Sequence, residues 1–142
     1  MVAKQLSVFI ENRQGRLGEV LNVLKSNDVN ILSMSLADTT EYGLLRLIVN
    51  DPAKGKQKLA GEGFSTMLTN VLVLGINHEV GSLQGLLTIL SDNDINVEYM
   101  YGLSVDGDQA SVVLKASDIE KADKILSAHG VKTLSAEDIA SL

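Results

Sequence analysis

The sequence has no cysteine, no tryptophan and a single proline. Without thiols, a disulfide framework, a thiolate zinc site and a cysteine nucleophile are excluded together. Three tyrosines and two phenylalanines are the only aromatic residues, so a core has to be aliphatic; hydrophobic residues make up 45% of the chain, which is ample material for one. Basic residues are the minority charge, 12 against 18 acidic, for a net charge of −6. Nucleic-acid binding rests on clustered Lys and Arg. Here they are scattered, and the densest group, Lys54, Lys56 and Lys58, reads as one solvated helix face, so no nucleic-acid partner is expected. No apolar run approaches the length that spans a bilayer. Met1-Val2-Ala3-Lys4 does not open a signal peptide. A cytoplasmic protein with no membrane partner is expected. Reactive constellations are also missing. There is no Gly-x-Ser-x-Gly elbow, and neither His78 nor His129 has a second ligand at metal spacing. Asp92-Asn93-Asp94 and Asp106-Gly107-Asp108 lack the sixth-position glycine and twelfth-position glutamate of a calcium loop and read as turns. The expectation is no catalytic residue, no metal, no cofactor and no enzymatic activity.

What is present is a repeat. Sixty-six residues separate Gly15 from Gly81, Leu17 from Leu83, Leu21 from Leu87 and Leu24 from Leu90. The same offset relates Asn27-Asp28 to Asn93-Asp94, Asn30 to Asn96 and Met34 to Met100, without a gap. Chance matches leucines; it does not also match the glycine, the Asn-Asp pair and the second asparagine. The chain therefore reads as two domains, residues 1–69 and 70–142. Units of that size bury only about 60% of their unfolded surface and gain by packing together.

Each half has the same succession of periodicities. Residues 4–11 alternate around Leu6, Val8 and Ile10, as in a strand. Leu17, Val20, Leu21 and Leu24 then recur at helical spacing, and Asn27 is placed to end that helix in a left-handed conformation. Strands follow at 30–37 and at 44–49, joined by a turn from Asp38 to Glu41. Asp51-Pro52 supplies an N-cap and a first-turn proline for a second helix. Gly61 to Gly63 end it, and residues 64–69 form a fourth strand. In the second half, strands are expected at 71–76, 95–103 and 109–116, the last two joined near Asp106-Gly107. Leu83, Leu86, Leu87 and Leu90 stripe the first helix. Ser117-x-x-Glu120 forms a capping box for the next, which stops at Gly130. A short strand from Val131 to Leu134 leads to Ser135-x-x-Asp138, the cap of a small terminal helix. The fold class is α+β, a βαββαβ order repeated twice, the ferredoxin-like arrangement.

One constellation in each half has chemical content: a strand end, a polar turn, a glycine, then a leucine opening a helix, with an asparagine later at the next strand. The residues are Asn12, Gln14, Gly15, Arg16 and Leu17 with Asn30, and, with one residue of slack at the turn, Asn77, Val80, Gly81, Ser82 and Leu83 with Asn96. Backbone N–H groups at such a helix start favour an anion such as a carboxylate. Glycine permits close approach, and amide oxygens accept from an ammonium. A zwitterion needs both kinds of group. Turn formation and capping explain the same residues without a ligand.

These segments, Glu11 to Leu17 with Asp28-Val29-Asn30-Ile31 and Asn77 to Leu83 with Asp94-Ile95-Asn96-Val97, resemble ACT domains, and the resemblance covers nearly the whole chain as two repeats with no catalytic domain. The resemblance implies a stand-alone regulatory protein that binds a free amino acid. The loop after the first strand would meet the ligand, and the start of the second strand, often from a neighbouring domain, would complete the pocket. Carried over residue by residue, this implicates Asn12, Gln14, Gly15, Arg16, Leu17, Asn30 and Ile31. In the second half it implicates Asn77, Val80, Gly81, Ser82, Leu83, Asn96 and Val97. A homodimer and a regulated enzyme or transporter are the implied partners. Gln14 and Val80 stand where the family often has proline, so the loops lack its stiffening. The halves also differ, Arg13 and Arg16 in one against His78, Glu79 and Ser82 in the other. A ligand-free assembly module, dimerising through sheet edges, is the alternative.

Lesser signals have structural readings. Gly15-Arg16-Leu17-Gly18 matches the GXXG loop of RNA-binding KH domains, but Gln84 replaces the second glycine in the other half and the charge is wrong. Tyr99 and Tyr101 are expected on one strand face against a partner domain, Met34 and Met100 in core or interface gaps, and His129 as an ordinary helix-end residue.

Overall fold

A computed structural model describes residues 1–38 and 41–142. The elements are β1 (Ala3–Glu11), α1 (Arg16–Ser26), β2 (Ile31–Asp38), β3 (Tyr42–Val49), α2 (Pro52–Gly61), β4 (Ser65–Asn77), α3 (Ser82–Asp92), β5 (Val97–Asp106), β6 (Gln109–Ala116), α4 (Ile119–Ala128), β7 (Lys132–Thr133) and α5 (Ala136–Ala140). This is the βαββαβ order twice. The turn expected from Asp38 to Glu41 includes Thr39 and Thr40, which lie outside the described residues. The strands expected at 64–69 and 71–76 are one strand, β4. No glycine or proline falls between Ser65 and Leu74, so nothing breaks the extended run. By compactness, Lys4–Thr69 group with Ile139–Leu142, and Asn70–Asp138 group with Met1–Ala3.

In the first unit the strand order is β2-β3-β1-β4. β3 is antiparallel to both β1 and β2, with Leu6 opposite Leu47 and Leu36 opposite Leu45. Period-two alternation turns Leu6, Val8 and Ile10 to the same face as Leu45, Leu47 and Val49. There they bury against Val20 and Leu24 of α1 and Leu59 of α2. The second unit has the order β7-β4-β6-β5. Leu72 and Leu74 pack with Leu114, with Leu86 and Leu90 of α3 and with Leu126 of α4. Fully burying one such leucine is worth about 1.5–3 kcal/mol, and each core has several.

Helices α1 to α4 end alike. Val29 N–H donates to Leu24 O and Asp28 N–H to Lys25 O, the two bonds of a Schellman motif. Gly63, Asp94 and Gly130 occupy the same position as Asp28, all with positive φ. This corrects the expectation for Asn27, which has φ −110°; the left-handed residue is Asp28, one place later. Asn27 spends its side chain on the helix, donating from Nδ2 to Val23 O at 2.8 Å. The N-cap of α4 also moves. Asp118, not Ser117, accepts from the helix, through Oδ1 from Lys121 N–H at 3.1 Å. The terminal capping box is present: Ser135 N–H donates to Asp138 Oδ2 and Asp138 N–H to Ser135 Oγ.

Both second strands carry a bulge at the same place, between Ile31 and Ser33 and between Val97 and Tyr99. β5 has another between Gly102 and Ser104 that the register of β2 lacks. Leu103 is thus an extra residue in the second repeat. Before it the repeats are related by 66 positions and after it by 67. Met34 is 40% exposed and lies outside the core. Tyr99 and Tyr101 stack with ring centroids 6.5 Å apart.

Candidate functional site

The loops between β1 and α1 and between β4 and α3 share one backbone pattern. Asn12 N–H donates to Glu41 O, as His78 N–H does to Asp108 O; Arg13 N–H donates to Glu11 O, as Glu79 N–H does to Asn77 O. Asn12 therefore corresponds to His78, and Asn77 to Glu11. The slack that aligned Asn12 with Asn77 is not needed. Gly15 and Gly81 are the N-caps, both at φ 88°, and no side chain caps either helix. Helix geometry then leaves N–H groups of the first turn facing outward at Leu17 and Gly18, and at Leu83 and Gln84. A Cβ on Gly15 or Gly81 would meet nothing within 4 Å. The backbone conformation, and not crowding by the protein, is what calls for glycine there.

Beyond the backbone the two loops part. In the first, Arg13 pairs with Glu11 at 2.8 Å and Arg16 pairs with Glu19. The Arg16 guanidinium carbon sits 4.4 Å from the centre of the Phe64 ring, a cation–π contact. Leu17 packs onto the first core. Both arginines are thus paired with carboxylates, while the buried Nε of Arg16 has no hydrogen-bond partner among the described residues. In the second loop, Asn77, His78, Glu79, Ser82 and Leu83 border a cleft of about 580 Å³. Its far wall is the β5–β6 hairpin around Gly102, Leu103, Val105 and Val112. Ser104 and Ser111, also on the cleft, share a hydrogen bond at 2.8 Å. Ile76, Asn77 and Ser82 border a neighbouring hollow of about 410 Å³ as well.

Of the expected site residues, Asn77, Ser82 and Leu83 come together in this cleft. Val80 and Gly81 belong to the same loop but do not line it. Asn96 and Val97 stand at the other end of α3, whose 11 residues span about 16 Å. Asn30 and Ile31 are likewise a helix away from Asn12, Gln14, Gly15, Arg16 and Leu17. They border a separate hollow of about 330 Å³ with Lys25 and Asp28. Within one unit the loop and the later asparagine are therefore not neighbours. Their backbones serve the fold: Asn30 N–H donates to Asn50 Oδ1 and Asn96 N–H to Ser117 Oγ. The hairpin residues were missed from the sequence. Their signal was the break in the repeat at Gly102-Leu103.

Among the described residues no group of three or more histidine, cysteine, aspartate or glutamate side chains could hold a metal ion. No helix among them is long and apolar enough to cross a membrane.

A sequence model described as an ACT domain pair matches residues 1–142. The chain belongs to the ACT domain pair family. A crystal structure of a protein from Bacteroides thetaiotaomicron is 36% identical, covers 100% of this ACT domain pair and 98% of its own chain, and superposes with a TM-score of 0.95. The regulatory subunit of aspartate kinase from Thermus thermophilus is 13% identical, with 89% and 95% covered and a TM-score of 0.64. That from Thermus flavus is 16% identical over the same shares, with a TM-score of 0.59. At those identities the kinase subunits share the fold with this ACT pair. No curated protein matches by sequence.

Proposed function

We propose that this ACT domain pair is a stand-alone regulatory protein that binds a free amino acid at the loop following the first strand of a repeat. The observation that carries the reading is the cleft of about 580 Å³ opening beside an uncapped helix start. Its size is that of a small-molecule site. The ligand carboxylate would rest on the N–H groups of Leu83 and Gln84, where the helix dipole favours an anion. The ammonium would meet the oxygens of Asn77 and Glu79, which border the same cleft. Asn30, Ile31, Asn96 and Val97 would contribute from a second copy in a homodimer, because each lies a helix length from the loop of its own repeat. Residues 1–69 and 70–142 would act as the two ACT repeats. Binding would favour one conformation or assembly and shift its population. A cytoplasmic enzyme or a transporter would read the change, and the chain itself would catalyse nothing.

A thermal-shift screen of the full chain against the twenty amino acids, followed by calorimetry, tests this. A ligand at 100 times its dissociation constant stabilises by about 2.7 kcal/mol, several degrees for domains of this size. A selective shift abolished by Gly81→Val is expected. No shift with any amino acid at millimolar concentration would remove the sensor reading. The assembly module would then stand first, supported by the exposed Met34 and Leu36 on β2, a strand at the end of the sheet order. Its signature is concentration-dependent association in sedimentation.

A further inference from the structure

We infer that only the second repeat holds the ligand, that the ligand is an amino acid with an aliphatic side chain, and that the first repeat narrows the matching space with its own Leu36 and Arg16. The inference rests on the amino-acid-binding reading and adds which repeat works and what it selects.

The register fixes which residues correspond. Met34 lies opposite Leu47 and Leu36 opposite Leu45; Met100 lies opposite Leu114 and Gly102 opposite Val112. Leu36 and Gly102 are thus the same position in the two repeats. Around Leu36, itself 49% exposed, the space is narrower: a hollow of about 280 Å³ borders Ala37, Asp38, Gly43 and Leu44, the counterparts of Ser104, Val105, Ala110 and Ser111. A Cβ on the neighbouring Gly43 would come within 3.1 Å of Ile10 Cγ1 and 3.3 Å of Leu36 Cδ1. Around Gly102 it is open, since a Cβ there meets nothing within 4 Å and Gly102 itself lines the cleft. Position 43 is correspondingly Ala110 in the second repeat, where a methyl group fits.

A second exchange acts at the helix start. Arg16 lies over Phe64 and is only 18% exposed. The corresponding pair is Ser82 and Val131, and both line the hollow that adjoins the cleft. Two large side chains in one repeat are replaced by glycine and serine in the other. The leucines at the helix start agree: Leu17 joins its core, whereas Leu83 is 38% exposed and borders the cleft.

The lining states what side chain fits. Ile76, Leu83, Leu103, Val105 and Val112 are aliphatic, and no lysine or arginine is among the lining residues. An acidic side chain would find no lysine or arginine, only His78, and would face Glu79. An aliphatic one buries against five apolar neighbours, each methylene worth about tenfold or more in discrimination.

Calorimetry on the full chain with leucine, isoleucine, valine, methionine, aspartate and glutamate tests the inference. The variants are Gly102→Leu, Leu36→Gly and Arg16→Ser/Leu36→Gly, each checked for wild-type circular dichroism. Gly102→Leu fills open space and is expected to fold. The wild type should bind aliphatic amino acids at one per chain and the acidic ones at least about tenfold more weakly. Gly102→Leu should weaken binding at least about tenfold, Leu36→Gly should leave it, and the double variant should raise the stoichiometry above one. Amide shifts of Leu83 and Gly102, and not of Leu17 and Leu36, should follow leucine addition. Binding by Gly102→Leu as tight as wild type, two sites in the wild type, or preference for an acidic ligand would overturn the inference while leaving amino-acid binding intact. A wild type that binds no amino acid at all would overturn the underlying reading and this inference with it.

Discussion

Ser117 and Asn96 hold each other through two hydrogen bonds. Ser117 Oγ accepts from Asn96 N–H at 3.1 Å, and Ser117 N–H donates to Asn96 O at 2.9 Å. Asn50 and Asn30 repeat the arrangement in the first unit, with Asn50 Oδ1 accepting at 2.9 Å. The residue after each is the helix cap, Asp118 for α4 and Asp51 for α2. Adjacent polar residues thus divide two tasks, one joining the ends of two strands and one starting a helix. Asp118→Ala should destabilise by about 1 kcal/mol, the ordinary worth of an N-cap. Ser117→Ala should cost about as much by losing the Asn96 bond, and Glu120→Ala should be near neutral. Urea unfolding followed by circular dichroism separates these; a larger loss for Glu120→Ala than for Asp118→Ala would restore the capping box based on Ser117.

The Schellman positions differ in what they cost. Gly63 and Gly130 adopt positive φ freely, whereas Asp28 and Asp94 hold φ 58° with a Cβ in place. Asp94→Gly should therefore raise stability by about 0.5 kcal/mol, and Asp94→Val should lower it by more than about 1 kcal/mol. Thermal melting reads both. A fall in Tm for Asp94→Gly would mean that the carboxylate contributes more than the conformation costs.

Gly15 and Gly81 make a different prediction from Gly102. Both have φ 88° with open space around the missing Cβ. Gly15→Ala and Gly81→Ala should each cost about 1–2 kcal/mol in backbone strain without misfolding. Gly102→Ala, free of that conformation, should stay within about 0.5 kcal/mol of wild type. Equal losses at all three would locate the penalty in packing instead.

Hydrogen bonds from Ser135, the backbone N–H first and the hydroxyl second, hold the Asp138 carboxyl below its ordinary value of 3.8. A depressed folded-state pKa contributes stability above the unfolded value and loses it as pH falls through the folded one. The cap of α5 should therefore persist at pH values where free aspartate is already protonated, and fail only below them. Carboxyl NMR titration should give a midpoint under 3.8 for Asp138, moved upward by Ser135→Ala. An unchanged midpoint in that variant would assign the depression elsewhere.

The sequence by itself determined the duplication, the order of elements and the two aliphatic cores. These follow from local periodicity, because a residue three or four places along a helix, or two along a strand, shares its face whatever lies beyond. It also located both glycine loops, since a polar turn with a glycine separates a strand period from a helical one at Gly15 and Gly81; the left-handed backbone and the uncapped helix start came from the structure. Single-position choices were decided by the tertiary structure. Whether Ser117 or Asp118 caps α4 depends on Asn96, which reaches Ser117 only once the strands pair. Asn27 and Asp28 tolerate the same backbone, and the bond from Val29 back to Leu24 selects Asp28. The cleft was least legible of all. Its walls come from β4, α3 and the β5–β6 hairpin, and its volume arises from what Gly102 and Ser82 leave unfilled. Empty space has no residue to mark it in a sequence; it appears when packing shows that Leu36 and Arg16 narrow in one repeat what their counterparts leave open in the other.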